Sequence, residues 1–423
     1  MTPREILLNS FEAALAAADP LKVVPRHLPA PPRGRTLVIG AGKAAAAMAA
    51  AVESVWPAQA ALAGIVITRY GHGMPTQRIE VVEGGHPVPD TAGENASRRI
   101  LEQVAKLGPD DLLLALISGG GSSLLSLPVP PISMDDLKAV TRDLLKCGAT
   151  IQEINTVRKH VSAIQGGRLA AACQAPILAL VISDVTGDDP THVASGPCAP
   201  DPSKYEDALA ILERYAITPP PALGSHLERG ARGEIEETPK PSDTRFGRVE
   251  NRVIATSHDA LAAASAHFEK LGIFSRILGD SVTGEAREVA KVYGPLAREI
   301  KKHSEPWPTP VALISGGETT VTVRGKGRGG RNCEFLLSLA IDLDGLAGVY
   351  ALACDTDGID GSENNAGAVL MPDALMRAQA AGLRADRMLA DNDGYTFFDK
   401  IGDLVVTGPT RTNVNDLRVI LVM

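Results

Sequence analysis

Short runs that are apolar at almost every position alternate, along this chain, with longer segments whose apolar residues recur every three or four positions. Residues 36–39, 64–68, 111–118 and 176–185 are runs of the first kind, and 79–82 reads as a further strand. A strand without polar alternation is covered on both faces, so helices between such strands predict a parallel sheet sandwiched by helices. The helical period runs through 43–56, 91–107, 134–147, 154–163 and 205–215, after an amphipathic helix at 4–18 and a Pro-rich connector at 20–34. Thr91 and Glu94 have the three-residue spacing of a capping box.

The pattern then breaks. Pro219, Pro220, Pro221, Pro239 and Pro241 bracket a polar, highly charged stretch, which predicts a linker or hinge over 219–242. Alternation restarts with a strand at 252–256, followed by a helix at 258–271, a strand at 274–278 and a helix at 284–302. Strands at 310–315 and 319–324 come next, the second alternating enough to suggest an antiparallel edge. A helix at 334–343, a strand at 348–354, a helix at 372–381 and strands at 404–407 and 417–422 complete the chain. A length of 423 residues exceeds one ordinary core. The expected architecture is therefore α/β with two domains, 1–235 and 236–423.

Composition narrows the function classes. A formal charge of −8 and the lack of a basic run with stacking aromatics argue against nucleic acid as a partner. No apolar run approaches a membrane span, and the start, Met1-Thr-Pro-Arg-Glu5, lacks signal-peptide anatomy. Five cysteines without CxxC spacing read as free thiols in a reducing compartment, so the expected location is cytoplasmic.

Candidate chemistry sits in loops that follow strands, where ligands collect in open parallel sheets. Asp355-Thr-Asp357-Gly-Ile-Asp360-Gly-Ser-Glu363 gathers four carboxylates behind a buried strand. Crowded like charges raise one another's pKa unless a cation sits among them. Gly358 falls fourth rather than sixth, and Ala366 stands twelfth, which excludes a calcium hand. Gly40-Ala-Gly42-Lys43 follows another strand. Its glycines let the backbone approach an anion, and the helix start offers amides and a partial positive charge. It is neither a P-loop, since Ala44 replaces the metal-binding hydroxyl, nor GxGxxG, since Ala45 takes the third glycine position. Ser118-Gly119-Gly120-Gly121-Ser122-Ser123 frees consecutive amides for an anion nest; a flexible turn is the plainer reading. Asp184, Asp188 and Asp189 lie at or just past the end of the 176–185 strand, suited to holding Mg²⁺ or to accepting a hydroxyl proton, although Asx turns explain some of them. Arg324-Gly-Lys326-Gly-Arg328-Gly-Gly-Arg331-Asn332 looks like an anion clamp with Arg331 at a helix entrance. A mobile hairpin tip is the alternative for Lys326 and Arg328. His86 and His160 stand in less ordinary settings than the other histidines but are not assigned catalysis.

At these residues the chain resembles the glycerate 2-kinases whose C-terminal part is the MOFRL module, often labelled hydroxypyruvate reductases of tartrate utilisation. The shared words run in order over nearly the whole chain: Val38-Ile-Gly-Ala-Gly-Lys43, Gly85-His-Pro-Val-Pro-Asp90, Ser118–Ser123, Asn155-Thr-Val-Arg-Lys-His160, Ile182-Ser-Asp-Val-Thr-Gly-Asp188-Asp189, Ala194-Ser-Gly-Pro197, Ser315-Gly-Gly-Glu318, Gly329-Gly-Arg-Asn332 and Asp355–Gly361. The resemblance implies a larger Rossmann-like αβα N-terminal domain and a smaller α/β MOFRL domain with a mixed sheet, the site lying in the cleft between them. It implies ATP- and Mg²⁺-dependent phosphorylation of D-glycerate at its 2-hydroxyl. The family's essential lysine falls on Lys43 and its essential arginine on Arg331. Where the family has Gln after Arg-Asn, this chain has Cys333.

On this reading Lys43, Arg331 and Asp189 are catalytic. Gly42, Ser118, Gly119, Gly120, Gly121, Ser122, Ser123 and Glu318 are cofactor-binding, and Asp189, Asp355 and Asp360 are the metal candidates. Closure about 219–242 would exclude water. Two rivals stand beside it. A nicotinamide-dependent hydroxypyruvate reductase needs GxGxxG and an acid after the next strand, where this chain has Arg69 and Tyr70. A non-catalytic hydroxy-acid or nucleotide sensor has no need of the crowded carboxylates. Assembly into a homo-oligomer is left open.

Overall fold

A computed structural model describes residues 1–423. The chain separates into two compact units, Pro20–Ile254 and Met1–Asp19 with Ala255–Met423. The sequence pattern put the division at 235/236 and kept the first helix with the N-terminal half. Two local facts account for the difference. The helix Pro3–Ala17, started by a Thr2/Glu5 capping box, packs on the helix Ser257–Lys270. The residues after it are tied to the same unit, where the Thr412 hydroxyl donates to the Ala18 carbonyl at 2.7 Å.

The first unit is built on a six-stranded sheet of β1 (Thr36–Ala41), β2 (Leu62–Arg69), β3 (Ile79–Gly84), β4 (Leu112–Ser118), β5 (Ile177–Ile182) and β6 (Val249–Ala255). The order is β3-β2-β1-β4-β5-β6, and β1 to β5 are mutually parallel. That is the order of doubly wound dinucleotide-binding sheets, with the direction of winding reversed between β1 and β4. β1, β4 and β5 are buried along their whole length, as unbroken apolar runs require. The strand expected to open the second domain is β6, the last strand of this sheet.

Two further expectations are corrected here. Residues 219–242 are not a free hinge: Pro221–Ala231 is a helix, with proline in its first turn, where a missing N–H costs nothing. Its Leu223 and Leu227 are fully buried in a cluster with Leu212, Tyr205 and Val157. At about 1.5–3 kcal/mol for each buried leucine, this helix is held to its unit rather than hung between units. The helix Thr91–Val104 is capped by Asp90, whose carboxylate accepts from the Gly93 amide at 3.0 Å, and Glu94 pairs instead with Arg98.

The second unit carries a mixed sheet of β7 (Phe274–Gly279), β8 (Val311–Ser315), β9 (Val349–Asp355), β10 (Gly367–Leu370), β11 (Leu404–Val405) and β12 (Asp416–Val422), in the order β11-β10-β9-β12-β8-β7. β7 and β8 are parallel, and β12 runs antiparallel to both neighbours. The strand expected at 319–324 does not form. β8 already has β12 on one side and β7 on the other, so no place remains beside it, and only Thr320 makes a single bridge, to Glu285.

Candidate active site

The glycine loops after β1 and β4 meet at the point where the strand order reverses. Gly42 has φ +132°, and a Cβ there would lie 2.2 Å from the Ser118 hydroxyl and 2.4 Å from the Ser118 carbonyl, so glycine is required on both counts. The Lys43 amide donates to the Gly119 carbonyl at 2.8 Å, and the Ala44 amide donates to Ser118 Oγ at 3.1 Å. These helix-start amides, expected to face an anion, are used instead to tie the two loops together. Ser118 is fully buried in that role. What the first loop presents is the Lys43 side chain, which passes over Gly120: a Cβ on Gly120 would lie 3.4 Å from Lys43 Cγ and 2.8 Å from His86 Nε2. His86 therefore stands beside Lys43. The sequence placed it in a notable word but gave no spacing that would bring it here.

A third segment closes on the same loops. Ala194, Ser195 and Gly196 all have positive φ, a run that two non-glycine residues hold only under strain. Ser195 Oγ donates to Ser122 Oγ at 2.9 Å, and Gly121 lacks the Cβ that would strike Ala194 at 2.5 Å. Upstream, Asp189 is exposed and accepts from the Thr191 amide at 2.9 Å. Partial burial would raise its pKa, but the Thr191 hydrogen bonds and the charges of His192 and Lys159 outweigh this and lower it. Asp189 is therefore ionised at neutral pH, which suits ion binding better than general-base work, where a pKa near the working pH is best. His192, next to it, is held below the ordinary histidine range by burial and by Lys159, against Asp189 and Asp201, and so is neutral at pH 7.

In the second unit, Arg331 begins the helix Arg331–Leu343 and is enclosed by carboxylates. Its Nε donates to both oxygens of Asp416 at 3.0 and 2.9 Å, one terminal nitrogen lies 2.7 Å from Asp355, and the other 2.9 Å from Glu318. Burial would weaken its charge, but Asp416, Asp355 and Glu318 hold its pKa above the usual arginine range. Glu318, expected among cofactor-binding positions, thus has its carboxylate on Arg331. Asp360 is fully buried. One oxygen accepts from the Asn332 amide and the other from the Cys333 amide, both at 2.9 Å. Burial raises its pKa despite those amides. It caps the helix from outside, with each oxygen already accepting one amide of that helix. Asp355 likewise accepts from the Asp357 amide, at 2.9 Å, and from Arg331.

The basic loop is not a mobile tip. The Lys326 and Arg328 amides donate to Asp391 and Asp393 at 2.9 Å each, and Arg328 pairs with Glu363 and lies over the Tyr395 ring. Cys333 is buried, accepting from the Asn365 side-chain amide at 3.2 Å. Asp416 and Arg418 escaped the sequence reading. Their signal was two charges two apart on an otherwise apolar strand, which places both on one face.

Such a chain, a doubly wound unit with glycine loops at its switch point and a second α/β unit with an arginine among acids, is a two-unit α/β protein with a built polar site in each. Residues 6–228 match the model described as Domain of unknown function (DUF4147), and 311–416 match the MOFRL family. The chain is 40% identical to the D-glycerate 2-kinase of Thermotoga maritima, over 99% of this chain and 98% of that one. It is 50% identical to a protein of Agrobacterium vitis that carries a hydroxypyruvate reductase name, over 100% and 95%. The crystal structure of glycerate kinase from Thermotoga maritima superposes with a TM-score of 0.88 at 38% identity, covering 99% of both chains. The chain belongs to the glycerate 2-kinase family with a C-terminal MOFRL domain.

Proposed function

We propose that this protein is a glycerate kinase that transfers the terminal phosphoryl group of ATP to the 2-hydroxyl of D-glycerate. The observation that carries this reading is the end-to-end relationship to the D-glycerate 2-kinase of Thermotoga maritima, with Lys43 and Arg331 both present in the family's words. Lys43 and the 118–123 loop are assigned to the nucleotide phosphates, since a lysine above a glycine-rich turn is the arrangement that phosphate binding needs. Arg331 is assigned to the substrate's anionic groups.

No three His, Cys, Asp or Glu side chains converge into an ion site by themselves. Mg²⁺ keeps several waters and is held by one or two carboxylates together with substrate phosphates. Asp189, ionised and exposed, is the residue suited to it. When bound, the ion neutralises charge on the phosphates. The 2-hydroxyl oxygen forms the new bond to phosphorus, the bond to ADP breaks, and the hydroxyl proton passes to a neighbouring acceptor, for which neutral His192 qualifies. No helix is long and apolar enough to cross a membrane, and the five free cysteines, four of them buried, fit a reducing cytoplasm.

Purified protein with MgATP and D-glycerate should give ADP and 2-phosphoglycerate, the isomer assigned by ³¹P and ¹³C NMR. The 3-isomer would overturn the regiochemistry. Oxidation of NADH by hydroxypyruvate without ATP, together with no kinase turnover, would overturn the reading. Against that outcome, β2 ends in Arg69, followed by Tyr70, where a nicotinamide site needs an acid.

A further inference from the structure

We propose that Asp416 is the positioning residue for Arg331, fixing which edge of the guanidinium faces a ligand; this rests on the kinase reading. A guanidinium has one Nε and two terminal nitrogens, and the three carboxylates around Arg331 divide them. Asp416 takes Nε with both oxygens, Asp355 takes one terminal nitrogen, and Glu318 takes the other. The three differ in access to solvent. The Asp416 and Asp355 side chains are 0% and 3% exposed, whereas Glu318 is 57% exposed. The ring of contacts is therefore fixed at the back and open to exchange only at Glu318.

Asp416 itself is held by more than Arg331. It accepts from the Asn332 side-chain amide at 2.9 Å and from Arg418 at 2.9 Å. Arg418, on the same face of β12, donates to the Gly316 and Gly317 carbonyls at 2.9 and 3.1 Å, so the loop that carries Glu318 is fixed from the same strand. β12 is paired on both sides, to β8 and β9, which makes it a rigid base. A carboxylate at the start of a doubly paired strand, satisfied by three donors, is held in one orientation. It dictates the rotation of the arginine in front of it. Lysine at 331 would keep the charge and lose this control, because an ammonium has no fixed plane.

The test separates positioning from charge and from stability. Asp416→Asn keeps size and the Arg418 contact while weakening the hold on Nε. Its kcat should fall at least about 10-fold, up to the roughly 100-fold that an ångström of misplacement costs, with KM for ATP changed less than about 2-fold. In an Arg331→Lys background the same change should cost less than about 3-fold, because the plane it orients is gone. Wild-type kcat in Asp416→Asn, or equal losses in both backgrounds, would overturn the proposal. A second readout does not need turnover. The Arg331 Nε–H resonance, assigned by its loss in Arg331→Lys, should exchange slowly with water in the full chain and quickly in Asp416→Asn. An unchanged exchange rate overturns positioning whatever the substrate proves to be, whereas absent glycerate phosphorylation with a fast-exchanging variant overturns only the kinase reading. Should Asp416→Asn not fold, Asp416→Glu keeps the charge for Arg418, displaces the hold on Nε, and must give the same signature.

Discussion

Gly42 and Ser118 approach so closely that a methyl group on the glycine would lie 2.2 Å from the serine hydroxyl. This contact joins the loops after β1 and β4, and φ +132° at Gly42 makes it inaccessible to other residues. Gly42→Ala adds backbone strain to a clash with the Ser118 main chain, together about 2–5 kcal/mol. Thermal unfolding should show a fall in Tm of several degrees or more, and activity should drop further than stability alone explains. An alanine variant with unchanged Tm would mean the loops separate freely.

Lys43 offers the converse case. Its side chain is only half-buried and runs past Gly120. Lys43→Ala should leave Tm within about 2 °C, as surface changes usually do. It should lower kcat/KM by about 10²–10³, the usual cost of removing one group aimed at developing charge. Steady-state kinetics beside a melting curve checks both, and near-wild-type turnover would remove the residue from the site.

Much of this was legible in the sequence, for a simple reason. β1, β4 and β5 are apolar almost throughout, and glycine words follow β1 and β4 at once, so the alternation of elements and the position of the loops could be read directly. Partner choice could not. The strand at 252–256 has the same composition whether it opens a second domain or closes the first sheet, and only its neighbour, β5, decides that it is β6. The prolines of 219–221 signal a helix start as well as a linker, and the burial of Leu223 and Leu227 resolves the ambiguity. Asp360 reads as an ion ligand because it sits among acids, but its capping of the helix Arg331–Leu343, remote in sequence, could not be read from the chain. Arg331 was found from its loop, whereas Asp416 and Arg418 lie about 85 residues further on and meet it only through the antiparallel return of β12.

Glu318 yields a prediction of direction. Its contact with Arg331 is solvent-exposed, and exposed pairs are worth about 0–1 kcal/mol, so a bound anion can replace it cheaply. Glu318→Gln should lower KM for the anionic substrate that meets Arg331 by up to about 5-fold, with kcat within about 2-fold. If Glu318 binds the cofactor directly, the same variant should raise KM for ATP instead. Kinetics with each substrate varied in turn separates the two.

Acid stability should depend on Glu237. His160, fully buried, lies 3.1 Å from its carboxylate, and the Thr238 and Tyr205 amides also donate to it. Burial opposes ionisation, but these contacts win and lower its pKa from 4.5 to about 2. A carboxyl whose folded pKa is depressed stabilises the protein above its unfolded value and loses that contribution as pH falls through the folded one. The window is therefore pH 4.5 down to about 2. Because the group is partly in solvent, screening limits the contribution to about 1–2 kcal/mol. Glu237→Gln should lower stability at pH 7 by that amount and flatten the decline between pH 4.5 and 2, measured by urea unfolding at a series of pH values. An equally steep acid limb in the variant would assign that decline to other carboxylates. Lys159 and Asp201, a buried pair at 3.4 Å in the same network, would be the next to test.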